Sequence, residues 1–487
     1  MTAQPDRRVT AATDRGAAAV LPAVLPAGLP SARQLRLRLR RARRGHHSRS
    51  YGDVLTDAYI LVWFVLMYGW VLVTAGRAYL HAPAAGRADP GERYWICVGA
   101  VLAGAGLAWQ GLRALGPLLV TPAAQTWVVS APIDRRAWLL PRFAVLLAVA
   151  AVGLAALGVG SGAMGTPHSG ADLGWAALAG ATWGASGVAL SVAAQGARRG
   201  GRWPRLVAVT LTVAGAVTAI AVIGLHFTGG RPGRPTVPLT APLALAGLPL
   251  VVTAVIFAVR ALPRVERATL TAGAQFATAA ATAVIWLDPS LLAGILENRR
   301  WRGIGRVRSR RFRARGRGLV LLQAEVRRLR RHPRAIVLWA ALALAQYALA
   351  VALPPAAGAA HVVGAYLAAG RLTGGLRAVS RAPGLRRALG GGDTGLRLVH
   401  LVIPTLGVAL WWLVTMPVAG VHPGLSGILM VAGVVAAVYR AATRPPMAYG
   451  GVVVETPFGL IPVDLLRQLT RGLDVLAVLV IAQSLFG

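Results

Sequence analysis

Two adjacent arginines, Arg135 and Arg136, have the residue type and the setting best suited to binding a carboxylate. The stretch TWVVSAPIDRRAWLLPR, between two long apolar runs, contains Pro132, Ile133, Asp134, Arg135 and Arg136, which we call the first elbow. A planar guanidinium group holds a carboxylate by two parallel hydrogen bonds, which a lysine ammonium group cannot do. Pro132 breaks any preceding helix, and Asp134 is placed to cap a new helix that starts at Arg135. We expect a rigid connection that presents a charged tip to a soluble partner; the alternative is a re-entrant turn that only anchors the next span.

Several reaction centres are absent from the sequence. Every basic residue is an arginine, and a Walker A loop needs a lysine on the phosphates, so the chain has no P-loop of its own. The single cysteine, Cys97, excludes a disulfide framework and a thiolate metal site. The histidines have no metal-ligand spacing. An enzyme would have to use His81, Asp89 and Glu92 in the longest outer loop, and these match no catalytic pattern. We therefore expect no enzymatic activity, no cofactor and no metal.

The composition is that of a multispan membrane protein. The mean hydropathy is +0.59 and 56% of the residues are hydrophobic. A run of roughly 18 or more apolar residues is long enough to cross a bilayer. The fold class predicted is an all-α integral membrane protein with about 11 transmembrane helices. The predicted spans are 58–75, 95–112, 143–160, 173–194, 206–227, 239–259, 335–353, 360–376, 398–418, 424–439 and 473–486.

The distribution of arginine predicts the orientation of these spans. With the N-terminus in the cytoplasm, the inner segments hold 47 of the 52 arginines and the outer loops hold 5. That asymmetry follows the positive-inside rule and explains the net charge of +36 without a nucleic-acid partner. We expect a plasma-membrane protein whose C-terminus lies outside. Segment 268–287 is long enough to cross, but crossing would turn the arginines of 299–334 outward, so we expect it to lie at the cytoplasmic surface.

Four regions follow from these spans. Residues 1–50 form a disordered, basic cytoplasmic tail with an interfacial helix near RQLRLRLRRARR, which would rest on anionic inner-leaflet lipids. Residues 51–267 form the first transmembrane half, with six spans. Residues 268–334 form an arginine-rich cytoplasmic linker with an interfacial helix; RNA binding is the alternative for its basic cluster. Residues 335–487 form the second half, with five spans.

The second half repeats features of the first. The tetrapeptide GLRA occurs at 111–114 and again at 375–378, where each copy is expected to end a span. Each copy is followed by a proline, an aspartate and then a span. Since six spans separate the copies, they face the same way, which predicts a parallel repeat. The counterpart of the first elbow, which we call the second elbow (residues 383–393), carries Pro383, Arg386, Arg387 and Asp393. It lacks a PIDRR sequence, so its arginines are expected to matter less.

The polar groups within spans are few. No acidic residue lies near the middle of a span, although ion-coupled transporters usually place one there. We interpret Gln110, Gln346 and Gln483 as donors of interhelical hydrogen bonds. Gly180 and Gly184 are expected to allow close approach of two helices.

The motif SAPIDRRAWLLPR resembles a connection found between the second and third spans of ABC-2-type exporter permeases. The segment ETPFGLIPVDLLRQLTRGLDV, together with SAPIDRR, resembles an uncharacterised actinobacterial family of ABC-permease-like membrane proteins. This resemblance implies the membrane-spanning subunit of an exporter, energised by a separate ATPase that binds the first elbow and its counterpart. The alternative is a non-transporting membrane scaffold or an uncoupled carrier.

Overall fold

The computed structural model is an all-α membrane protein in two halves. Within the residues that the structure describes, eight helices are long and apolar enough to cross a membrane. The first predicted span and most of the N-terminal tail, of segment 268–287 and of the basic linker lie outside the described residues. The structure describes residues 31, 33–38, 41, 89–118, 120, 134–165, 170–197, 203–233, 240–266, 269–270, 311–313, 316–390, 392–419, 424–444, 453–456, 459–462 and 470–486.

The described part of the first half contains five long helices. Their apolar residues are spread around the helix rather than along one stripe, which suits helices in contact with lipid on one side and protein on the other. A 3-10 turn, Leu262–Arg264, follows the last of them. The helices are α1 (Pro90–Leu115), α2 (Arg135–Gly165), α3 (Gly170–Gly196), α4 (Trp203–Phe227) and α5 (Thr240–Ala261).

The second half combines long and short helices. Its interfacial helix, α6, precedes the first span and buries a single residue, Glu325. A 3-10 turn, Pro354–Ala356, joins the first two spans. The helices are α6 (Arg317–Arg331), α7 (Pro333–Ala352), α8 (Ala357–Gly370), α9 (Gly374–Arg381), α10 (Pro383–Leu389), α11 (Asp393–Ala419), α12 (Leu425–Ala442) and α13 (Leu473–Phe486).

A short β-hairpin lies between α12 and α13. Strand β1 (Val453–Thr456) pairs antiparallel with β2 (Gly459–Pro462), and Thr456 faces Gly459 at the turn. The prediction from sequence did not include this hairpin.

The helices run alternately between two ends of the molecule. Where α1 begins and α4 ends, the Nδ1 atom of His226 lies 2.9 Å from Glu92 Oε1. Where α1 ends and α4 begins, Trp109 Nε1 donates to the Pro204 carbonyl at 2.8 Å. Helices α1 and α4 are therefore antiparallel, as the predicted topology requires.

Arginine marks one of these ends. Of the arginines that the structure describes, only Arg93 and Arg231 lie at the end where α1 begins. We call that the opposite end, and the end where α1 finishes the basic end. The helix packing thus collects the arginines at one side, in agreement with the sequence analysis. Which compartment each end faces stays a prediction.

The two halves share part of one packing scheme; α12 also packs on α13, whereas the matching helices of the first half, α3 and α4, make little contact. In the first half, α1 contacts α2, α3 and α4, and α2 contacts α3. In the second half, α8 contacts α11, α12 and α13, and α11 contacts α12. Equivalent helices run in the same direction, so the repeat is parallel, as predicted. Helix α5 packs on α3 in the first half only, and α7 joins the halves by contacting α1 and α4.

Two glycines and two of the three glutamines do what the sequence predicted for them, and a hydrogen bond from Gln483 stays a prediction. A Cβ atom on Gly180 would overlap the Leu154 carbonyl of α2, and one on Gly184 would overlap the Leu154 side chain, so both glycines permit close packing of α2 on α3. Gln346 Nε2 donates to the Ala357 carbonyl at 2.9 Å.

The other two glutamines also join helices. Gln110 Nε2 of α1 donates to Thr212 Oγ1 of α4 at 3.4 Å. Gln483 of α13 packs against Gly358 in the first turn of α8.

The interfacial helix predicted in the N-terminal region begins where the sequence suggests. Residues 33–38 are helical. Ser31 and Gln34 form a reciprocal capping box: Gln34 N–H donates to Ser31 Oγ at 3.2 Å, and Ser31 N–H donates to Gln34 Oε1 at 3.0 Å. Leu35 packs against the buried cluster of the first half at the basic end. The basic stretch is thereby attached to the transmembrane bundle.

Candidate functional site

The first elbow is built on a helix cap. Asp134 precedes α2, and its Oδ1 atom accepts a hydrogen bond from the Arg136 N–H at 2.9 Å. Such a cap is worth about 1 kcal/mol. The helix start predicted at Arg135 is confirmed. Pro132 and Ile133 lie outside the described residues.

The helix that starts at Arg135 is the span itself. Helix α2 continues through Pro141 to Gly165 without a break, so the two arginines occupy its first turn rather than a separate elbow helix. One turn further on, Trp138 and Leu139 are buried in a cluster that includes Leu262. The charged turn is therefore held rigidly by the apolar packing directly below it.

The two arginines of the first elbow have different surroundings. Arg135 Nη1 donates to the Val265 carbonyl, just after the turn that ends α5, at 3.4 Å. Both arginines are exposed, and Arg136 contributes its backbone N–H to the cap. Arg135 thus braces α2 against the end of α5, and the Arg136 guanidinium group is presented to the surroundings.

The second elbow is a separate short helix. Pro383 is the first residue of α10, a position that tolerates its missing N–H. Gly390, with a φ of 68°, ends the helix in a conformation that glycine adopts without strain. No residue of α10 is buried, and the Leu385 side chain is 40% exposed. The helix therefore projects from the basic end.

The first arginine of the second elbow also bonds a backbone carbonyl, and it is more buried than Arg135. Arg386 Nη1 donates to the Ser380 carbonyl at 3.0 Å, and its Nε lies 3.3 Å from Asp393 Oδ2. Arg387 is exposed. Asp393 opens α11 and so joins the elbow to the next span. The structure brings Arg386 and Asp393 together, and in each elbow the first arginine donates to a backbone carbonyl while the second is exposed.

The second GLRA copy does not end a span, which corrects the prediction. The predicted span 360–376 is α8, which stops at Gly370, and GLRA then opens α9. Thr373 Oγ1 and Arg377 Nη2 donate to the Gly370 carbonyl at 2.8 and 2.7 Å. Because side chains satisfy that carbonyl, the helix can end there. In the first half, GLRA does lie at the end of α1.

A buried pair fastens α6 to this region. Glu325 Oε1 lies 2.9 Å from His400 Nδ1 of α11, and both side chains are less than a tenth exposed. A Cβ atom on Gly375 would overlap the Glu325 carboxylate, so α9 approaches α6 at a glycine. Arg317, at the start of α6, donates to the Gly390 carbonyl. The interfacial helix, the second elbow and the start of α11 therefore form one connected unit.

A second buried histidine lies within the bundle. His361 of α8 is fully buried, and its Nδ1 atom lies 2.9 Å from Thr415 Oγ1, which itself donates to the Trp411 carbonyl at 2.8 Å. The hydroxyl proton is then committed to the carbonyl, so Nδ1 carries the imidazole proton. The sequence analysis gave this histidine no role, and its partner is 54 residues away.

The residues considered for enzymatic chemistry have structural partners. Asp89 caps α1 by accepting from the Gly91 N–H at 2.9 Å. Glu92 pairs with His226 of α4. His81 lies outside the described residues. Within the part of the chain that the structure describes, no group of three histidine, cysteine, aspartate or glutamate side chains could hold a metal ion.

The sequence was compared with models of known protein families, and one of these models matches it. The model of a family of unknown function, DUF6297, matches residues 86–452. The chain belongs to this family. The DUF6297 match begins just before α1 and ends just before β1, so it contains both elbows and the α6 unit. No curated protein and no solved structure matches the chain.

Proposed function

We propose that the chain is the membrane-spanning permease subunit of an ABC-type exporter, energised by a separate ATPase. The observation that carries the proposal is the pair of elbows at the basic end, each with its first arginine bonded to a backbone carbonyl and its second arginine exposed. A parallel repeat places both elbows on the same side, where one ATPase dimer could contact them together.

The energy source follows from what the sequence lacks. Without lysine, the chain has no Walker A loop, so ATP hydrolysis has to come from a partner. An exposed guanidinium group fits an acidic groove on such a partner. The two rigid mounts, α2 and the α6 unit, connect the elbows to spans that cross the membrane, so movement of a partner would reach the bundle.

Localisation and orientation belong to the same proposal. We place the chain in the plasma membrane of an actinobacterium, with the N-terminus and the basic end in the cytoplasm and the C-terminus outside. In a Cys97→Ala background, cysteine at Gly233 of the opposite end should react with an impermeant thiol reagent in intact cells. Cysteine at Gly384 in α10 should not react. If it does, the orientation is the reverse of the one proposed.

A non-transporting scaffold is the second candidate. The observation that favours it is the filled interior of the second half, where Trp411 is fully buried and packs on Trp339 edge to face, with ring centroids 5.9 Å apart. Such packing suits a static bundle. A transporter requires that these helices separate during the cycle.

Co-purification separates the two candidates. The tagged chain, extracted gently from its own membranes, should bring down a soluble ATPase with a GxxxxGK[ST] motif. The chain purified alone should hydrolyse no nucleotide. Reproducible recovery of the intact chain without any ATPase would favour the scaffold.

A further inference from the structure

Three arginines gather beside the hinge between α8 and α9. Arg371 follows the last residue of α8, and Arg377 and Arg381 lie one turn apart on α9. Burial, and then the neighbouring guanidinium groups of Arg381 and Arg371, lower the pKa of Arg377. Arg444, just beyond α12, adds to this repulsion. Positive charge is thus concentrated at one spot of the basic end.

The nearby carboxylates are engaged elsewhere. Glu325 pairs with His400, Asp393 with Arg386, and Asp474 with Arg440. These are the acidic residues of the second half whose side chains the structure describes. The positive charge of Arg371, Arg377 and Arg381 is therefore available to a ligand from outside the described chain.

One hydrogen bond orients the Arg377 guanidinium group, and its other N–H donors are not used by that bond. Its Nη2 atom donates to the Gly370 carbonyl at 2.7 Å, which holds the group beneath the end of α8. A guanidinium group has five N–H donors, so the others remain for an anion. Phosphate oxygens match this planar geometry by paired hydrogen bonds.

The depth of the cluster points to a lipid. Tyr366, one turn inside the end of α8, interacts electrostatically with Arg377, and tyrosine is favoured at the level of the headgroups. Val363, Leu367 and Arg371 follow one another at four-residue spacing, so they share one face of α8. Leu367 is 49% exposed and Val363 36%. The exposed side chains of Val363 and Leu367 therefore form an apolar strip, which we call the apolar track, along α8 towards the exposed Arg371.

We propose that Arg371, Arg377 and Arg381 bind the phosphate headgroup of an anionic lipid, whose acyl chain lies along Val363 and Leu367. A free phosphate ester would satisfy the arginines but would leave the apolar track unused. The site lies at the hinge that carries the second elbow, so an occupied site would steady the connection between α8 and α9.

The test uses the full-length chain in detergent, with phosphatidylglycerol as the probe. The exposed arginines Arg371 and Arg381 are changed together to glutamine, which spares the half-buried Arg377. The matched control, Arg330→Gln with Arg334→Gln, removes the same charge from exposed positions of the basic end. Native mass spectrometry gives the affinity, and thermal unfolding without lipid shows whether each variant is folded.

We expect the cluster variant to bind phosphatidylglycerol about 30-fold more weakly, because each arginine near an anionic lipid contributes about fivefold. The control should lose less than about fivefold. Phosphatidylcholine and glycerol 3-phosphate should bind the unchanged chain much more weakly than phosphatidylglycerol. Leu367→Ser should weaken phosphatidylglycerol binding without changing that of glycerol 3-phosphate.

Other outcomes would overturn the proposal. Equal losses from the cluster variant and the control would leave only a diffuse charge effect. Equal binding of glycerol 3-phosphate and phosphatidylglycerol would mean a site for soluble phosphate esters. If the cluster variant fails to fold, Arg381→Gln alone replaces it, and unchanged binding in that folded variant would reject the site.

Discussion

The two elbows reach a similar arrangement with different sequences. In the first, PIDRR leads directly into α2, and the arginines lie on the first turn of the span. In the second, PGLRRALGGGD forms α10, and the span begins at Asp393 after Gly390 ends the short helix. Each elbow nonetheless bonds its first arginine to a backbone carbonyl and leaves the second exposed. The distribution of bonds is preserved although the motif is not.

The elbows differ in their support. The first rests on apolar packing of Trp138 and Leu139 beneath the charged turn. The second depends on polar fastening, by the Glu325–His400 pair and the bond from Arg317 to Gly390. The first elbow is therefore stabilised by buried apolar side chains. The second is stabilised by polar contacts, which single polar substitutions can remove.

The largest expected effect separates the second arginine of each elbow from the first. Arg136→Ala with Arg387→Ala should weaken association with the ATPase by a few hundredfold or more, because each charge-assisted contact is worth roughly 1.5–3 kcal/mol. The matched pair, Arg135→Ala with Arg386→Ala, should instead lower the unfolding temperature, since each lost bond costs about 0.5–1.5 kcal/mol. Affinity is measured with purified partner, and stability by thermal unfolding.

The same variants, made singly, sharpen the comparison. The sequence alone predicted a smaller role for the second elbow, whereas the shared division of bonds favours comparable losses from Arg136→Ala and Arg387→Ala. A loss from Arg136→Ala alone would restore the sequence-based view. Unchanged association for both, in stably inserted protein, would mean that the elbows only anchor the spans.

A smaller effect is expected from the two glutamate–histidine pairs. Glu325→Ala leaves the buried His400 without its partner and should cost about 1–3 kcal/mol of stability. Glu92→Ala should cost about 0–1 kcal/mol, because the His226 side chain is 46% exposed and can bond to water. Thermal unfolding in one detergent compares them, with Glu325→Gln as the shape-preserving control. Equal losses of stability from Glu325→Ala and Glu92→Ala would contradict the view that the buried Glu325–His400 pair stabilises the second elbow.

Local signals in the sequence predicted much of this structure. Long apolar runs gave the positions of eight crossing helices, and the order Pro132, Asp134, Arg135 gave the start of α2 because caps depend on neighbouring residues. The asymmetry of arginine gave the basic end. These features require no knowledge of distant contacts.

The rest depends on contacts between distant residues. The early end of α8 follows from side chains of Thr373 and Arg377 that bond the Gly370 carbonyl, so composition alone extended the span too far. The Glu325–His400 pair joins residues 75 positions apart. Without that pair in view, the second elbow looked like a degenerate copy rather than a fastened one.

Photo-crosslinking at the elbows tests the central claim most directly. A photoreactive amino acid replaces Arg136 in one variant, Leu385 in a second, and Val149, an exposed apolar residue in the middle of α2, in a control. Illumination of intact membranes should link both elbow positions to the same soluble ATPase with a GxxxxGK[ST] motif and should link Val149 to none. Stable protein whose elbow positions capture only lipid, or no protein at all, would contradict the account.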